Sequence, residues 1–143
     1  MDKGFTLLEI LVVVGVMAVL ISAVLGSGLD FYKTQQLNVH TQGIVQGLRR
    51  AQQKAMAVEN DSNFGVHFAN NNYTLFKGSN FEQRDIQYDE VVDLPQVLTV
   101  SGIQEIVFSK VEGIPSLVGD IIISNGIETR IIDINEIGRI NLE

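Results

Sequence analysis

The sequence predicts an α+β chain in which one long N-terminal helix, with a transmembrane half and an amphipathic half, packs on a small antiparallel β head of about seven strands. Three observations predict it. Residues 10–25 form a near-continuous apolar run interrupted by a polar side chain only at Ser22. Leu37, Thr41, Ile44, Leu48, Ala51, Ala55 and Val58 then recur alternately four and three residues apart, which is one face of a helix. From Phe64 onward, short apolar runs alternate with polar residues and are broken by Gly, Pro and Asn, the punctuation of strands and turns.

Residues 5–27 make 23 positions, which as a helix reach roughly 34 Å, enough to cross a hydrocarbon core of about 30 Å. Lys3 on the short side places the N-terminus in the cytoplasm and the rest outside. Glu9 is the oddity in this helix. A carboxylate near a membrane helix centre costs about 2.5–3.5 kcal/mol, less near an end, so Glu9 needs a partner or a purpose. A cleaved secretory signal fits less well, because the basic region is very short and Glu9 interrupts the apolar core. No proline intervenes before residue 58, so residues 5–58 read as one helix, with Gly26, Ser27 and Gly28 as the place where it bends or locally melts. Gly43 and Gly47 each cost up to about 1 kcal/mol against alanine, and fit either close approach by another backbone or simple tolerance. The polar run 59–63 ends the helix.

Residues 64–68 and 73–76 read as a hairpin across a turn at 69–72, followed by a polar loop at 78–84. Strands follow at 86–94 and 97–100, separated by Pro95, and at 106–108. After a loop at 112–116, residues 117–124 and 127–134 pair across Asn125-Gly126, a tight turn that needs positive φ, and 137–142 closes the chain.

At 143 residues there is room for one membrane helix and one compact head. The chain contains no cysteine, which removes thiol catalysis, cysteine metal sites and disulfide staples, and leaves packing to hold the head. The net charge of −7 is unevenly spread. Residues 30–58 carry Lys33, Arg49, Arg50 and Lys54 against Asp30, a net +3, whereas residues 59–143 carry five basic against fourteen acidic side chains, a net −9.

Catalytic candidates are thin. His40 and His67 have no spaced partners and read as solvated or packed rings. Asp85, Asp89, Glu90 and Asp93 could form an acid or cation site, but read more simply as a solvated strand face. Residues 133–138 begin like a calcium loop, with Gly138 sixth, yet carry Ile137 where a ligand oxygen belongs. No phosphate-cradling glycine loop, nucleophile elbow or zinc spacing is present. The reading is of a protein that is not an enzyme, with no metal and no cofactor.

Gly4-Phe5-Thr6-Leu7-Leu8-Glu9 resembles the processing site of type IV pilins and type II secretion pseudopilins. The resemblance implies cleavage between Gly4 and Phe5 by a membrane-embedded prepilin peptidase, N-methylation of the new terminus on Phe5, and retention of the apolar helix. It also implies that Glu9 recruits the subunit into a filament by pairing with a neighbour's amino terminus, an attraction strengthened in a low-dielectric bundle. The expected organisation is then a leader at 1–4, a transmembrane and filament-core helix at 5–28, its amphipathic continuation at 29–58 and a β-rich head at 59–143. The leader departs from the pattern in its length of four residues, with Lys3 its sole basic side chain.

The order of helix then β head is similar to the H-type minor pseudopilins and related minor pilins, and the absence of a C-terminal cysteine pair sets the chain apart from major pilins with a disulfide-bounded loop. Implied partners are the peptidase, other pilins or pseudopilins and an inner-membrane assembly platform. The implied location is the cytoplasmic membrane, single-pass with an extracytoplasmic head, and then a filament in the envelope. Arg49, Arg50 and Lys54 read as contacts to acidic patches on neighbouring heads. Nucleic acid is a poor partner for a head at −9, since binding without sequence preference needs several phosphate contacts from a basic surface. Two other readings stay open: a DNA-binding minor pilin of an uptake system, and a bitopic anchor carrying a ligand-binding head.

Overall fold

A computed structural model of the chain describes residues 5–143, and of residues 23–29 the backbone alone. It divides into two compact units, Met1–Lys33 and Thr34–Glu143. One helix, α1 (Leu7–Met56), belongs to both. Eight strands follow: β1 (Phe64–Phe68), β2 (Asn72–Lys77), β3 (Glu90–Asp93), β4 (Thr99–Gly102), β5 (Glu105–Phe108), β6 (Gly119–Ser124), β7 (Thr129–Ile134) and β8 (Ile140–Leu142). They form two four-stranded antiparallel sheets, ordered β3-β2-β1-β5 and β4-β6-β7-β8. The α+β expectation holds, with one strand more than the count of about seven.

In the second unit α1 buries the stripe its spacing predicted. Leu37, Thr41, Ile44, Leu48, Ala51 and Ala55 are fully covered, and pack with Phe64, Val66, Ile106 and Phe108 of the first sheet and Ile121, Ile123, Ile132 and Ile134 of the second. One helical face thereby closes both sheets over a single apolar core. Val58 is the exception, because the helix stops at Met56 and Val58 turns into the left-handed region at φ 55. A β-branched residue there is unfavourable by about 1–2 kcal/mol. Val111, also at positive φ, donates its N–H to the Ala55 carbonyl at 3.1 Å, so the β5–β6 connection caps the helix end.

The other boundaries shift for physical reasons. Residues 86–88 form a 3₁₀ turn rather than strand, started by Asp85, whose carboxylate accepts from the Gln87 N–H. Asn125 opens a four-residue connection, 125–128, and its Oδ1 accepts from the N–H groups of Ile127 at 2.9 Å and Glu128 at 2.7 Å. Gly126 supplies the positive φ that this loop requires. The stretch 78–84, expected as a polar loop, is anchored over the outer face of the first sheet. There Phe81 stacks on His67 at 3.9 Å and meets Phe76 edge-on at 5.5 Å, while the Arg84 guanidinium lies 3.7 Å above the Phe81 ring.

Gly65 is closely hemmed in within the first sheet. A Cβ at Gly65 would stand 2.6 Å from Cζ of Phe76 and 2.7 Å from the Ile106 carbonyl oxygen. Gly65→Ala should therefore destabilise the head by about 1–3 kcal/mol in chemical denaturation. Thr41 has the opposite fault, a hydroxyl fully buried without a hydrogen-bond partner. Thr41→Val, which keeps the shape and removes the stranded hydroxyl, should raise stability by roughly 1 kcal/mol in the same measurement.

Candidate functional site

The first unit concentrates the sequence-predicted residues at one helix end. Thr6 starts α1: its Oγ1 accepts from the Glu9 N–H at 3.3 Å, and its carbonyl accepts from Glu9 at 3.1 Å and Ile10 at 3.2 Å. Phe5, Glu9, Ile10, Val13 and Val14 line a cleft of about 290 Å³. The Glu9 carboxylate makes no ion pair among the described residues, so a lone acid stands on a surface where every large apolar side chain from Leu7 to Ile21 is more than half exposed. Water is a poor medium for such a surface, and lipid or other apolar helices would cover it. Among the described residues no helix is long and apolar enough to cross a membrane. The expected span takes in residues 23–28, whose side chains lie outside the described residues, as does Gly4.

In the second unit the predicted contact residues have partners within the chain. Arg49 Nη2 donates to the Ile140 carbonyl at 3.3 Å. Arg50 pairs with Glu90 at 2.7 Å, and Lys54 reaches both Glu59 and Glu90 at 3.3 Å. Of the two that are ion-paired, Arg50 keeps the more accessible charge, with 59% of its side chain exposed against 20% for Lys54.

Three of the four residues of the acidic run, all but Asp93, are spread among separate ion pairs. Asp85 faces Lys77 at 3.6 Å, Asp89 takes the Arg84 Nε at 2.8 Å, and Glu90 takes Arg50 and Lys54. In the loop that begins like a calcium site, Asn135 Oδ1 instead accepts from the N–H groups of Ile137 at 3.2 Å and Arg139 at 2.8 Å, closing the β7–β8 turn. Among the described residues no group of His, Cys, Asp and Glu is placed to hold a metal ion. His40 meets Gln36 at 3.0 Å, and His67 is stacked under Phe81.

Of the paired glycines of α1, Gly47 has a cause that spacing alone did not specify. A ring approaches it, not a backbone: a Cβ on Gly47 would stand 2.9 Å from Cε2 of Tyr73, whereas one on Gly43 would meet the Tyr73 oxygen at an ordinary 3.9 Å, and the Tyr73 hydroxyl donates to the Gly43 carbonyl at 3.2 Å. Gly43, Gly47, Tyr73, Arg50 and Glu90 border a cleft of about 220 Å³ between α1 and the β2–β3 edge. Burial pushes the Tyr73 phenol above its ordinary value of 10.0, while the Arg50 charge acts in the opposite direction with smaller effect. At the helix end, the hydrogen bond and charge of Lys110 hold the exposed Asp61 carboxyl below its ordinary value.

Residues 1–25 match the family model described as a prokaryotic N-terminal methylation motif. No curated protein and no solved structure matches the chain.

Because the folded state raises the Tyr73 pKa, its contribution to stability is complete below pH 10 and is lost as the pH rises through the folded-state value. Tyr73→Phe should cost about 1 kcal/mol at neutral pH and remove this part of the alkaline slope, as read by denaturation across an alkaline pH series.

Proposed function

We propose that this chain, which carries the N-terminal methylation motif of the type IV pilin and pseudopilin family, is a minor structural subunit of a type IV pilus or type II secretion pseudopilus. The observation that carries the reading is the motif over residues 1–25 running directly into α1, whose side chains from Leu7 to Ile21 stand uncovered around a single carboxylate. That surface suits a helix held first in lipid and then against other apolar helices, with 5–28 as membrane and filament core, 29–58 as its amphipathic continuation and 59–143 as the β-rich head. The order of long helix then β head is similar to that of the H-type minor pseudopilins.

In this reading the peptidase cuts between Gly4 and Phe5, methylates Phe5 and leaves a positive terminus. Glu9 of one subunit pairs with that terminus on another, which fixes register as the helices bundle. Opposite charges attract more strongly in such a bundle than in water, and removing one partner strands the other. The basic residues of α1 would contribute on the outside of the bundle, chiefly through the exposed guanidinium of Arg50. The precursor resides in the cytoplasmic membrane with its head outside, and an inner-membrane platform drives its assembly.

The intact mass of the chain co-expressed with a prepilin peptidase should show loss of residues 1–4 and gain of one methyl group. An unchanged mass would remove the filament reading and favour a bitopic anchor. Glu9→Ala should leave the head folded, abolish incorporation into sheared filaments and leave membrane insertion intact, as read by immunoblot of filament and membrane fractions; a plain anchor would function normally with that change.

A further inference from the structure

Eight basic side chains lie in Thr34–Glu143, and six of them, Arg50, Lys54, Lys77, Arg84, Lys110 and Arg130, each hold a carboxylate within 4.0 Å. The two that hold none among the described residues, Arg49 and Arg139, line the same cleft of about 380 Å³, at the seam between α1 and β8. In a segment with a large acidic excess this is a conspicuous vacancy: two guanidiniums share a groove to which no described carboxylate contributes lining.

The cleft is firmly built. Gln52 Nε2 donates to the Gly113 carbonyl at 3.0 Å and the Gly138 carbonyl at 2.8 Å, tying two loops to the helix beneath it. Gly138 sits at φ 77, and a Cβ there would collide with the Gln52 amide and stand 2.7 Å from the Gly113 oxygen, so a glycine is needed for the loop to close on the helix. The Asn135 bond to the Arg139 N–H fixes the base of that side chain, whose guanidinium is exposed. Arg49 spends one of its five donors on Ile140. The carboxamides of Gln53 and Asn141 complete the walls, with Asn141 also touching Asp133 of β7 at 3.4 Å.

We propose that this cleft binds a carboxylate on an aspartate- or glutamate-bearing segment of a neighbouring subunit. Two planar guanidiniums match a carboxylate through paired N–H···O bonds, and the flanking carboxamides suit the peptide groups on either side. A polyphosphate fits less well: its several charges would reach beyond the two arginines to Asp133 and the surrounding acidic head, whereas a single carboxylate needs no more than the two guanidiniums. The identity of the natural occupant rests on the assembly reading above, but carboxylate binding is a property of the cleft. A chain that escaped the peptidase would defeat the assembly reading and leave this binding in place.

The test is fluorescence anisotropy of a labelled, end-blocked peptide bearing a single glutamate, with the full chain in detergent micelles at low salt. Saturable binding is expected, weakened roughly tenfold by Arg139→Gln, whose side chain makes no contact that folding needs. Arg139→Lys should recover only part of the loss, since it restores charge without the planar fork. Lys110→Gln, which removes a positive charge elsewhere on the head, should leave binding unchanged. Absence of saturable binding would overturn the proposal, as would equal weakening by Lys110→Gln, which would mean diffuse attraction. Displacement of the peptide by inorganic phosphate at lower concentrations than by free glutarate would overturn the carboxylate assignment.

Discussion

The head depends on one buried stripe. Leu37, Ile44, Leu48, Ala51 and Ala55 lie on a single side of α1, and both sheets close against it. With no cysteine to staple the strands and no hydrogen-bonded strand pair joining the two sheets among the described residues, the helix is the common wall of the core. The polar contacts around the stripe reinforce it from both directions: Tyr73 binds the helix backbone from the first sheet, and Arg49 and Gln52 reach strand and loop carbonyls on the second. Small residues matter because of this crowding. Ala51 and Ala55 let the sheets come close, and Gly47 makes room for an aromatic ring.

Much of this was legible in the sequence because the signals were periodic. The four-and-three spacing of Leu37 through Ala55 named the buried face residue by residue, and Phe64, Val66 and Phe68 named a strand by alternation. What escaped depended on local capping chemistry or on contacts distant in the chain. Val58 fits the helical period, yet α1 ends before it. Ile86 looks like the start of a strand, but the local capping bond of Asp85 wins and makes a 3₁₀ turn. Phe81 stands in a polar loop with nothing nearby in sequence to show that His67 and Phe76 receive it. The glycines at 43 and 47 fitted either approach by another backbone or simple tolerance, and only the fold shows a tyrosine ring against Gly47.

The functional residues divide along the same line. Glu9 was conspicuous from sequence because a carboxylate inside an apolar run is costly, and this is a local property. Arg50 and Lys54 were visible as a charge excess on the helix, but only the fold shows that Glu90 lies opposite both. Arg139 had no signal of its own. It is one basic residue near an acidic segment, and its relation to Arg49, ninety positions earlier, exists only once β8 lies along α1.

That long separation has a consequence for how the molecule is made. The strand nearest the C-terminal end of the sequence, β8, supplies the carbonyl that Arg49 binds, and β7 with the loop before it reaches back to Asn38 and Thr34. A chain emerging from the ribosome presents α1 first and these strands last, so the apolar stripe stays uncovered through most of synthesis. Until β8 arrives, apolar contacts between the uncovered stripes of nascent chains compete with closure of the head, so the order of synthesis bears on whether each head closes on its own helix.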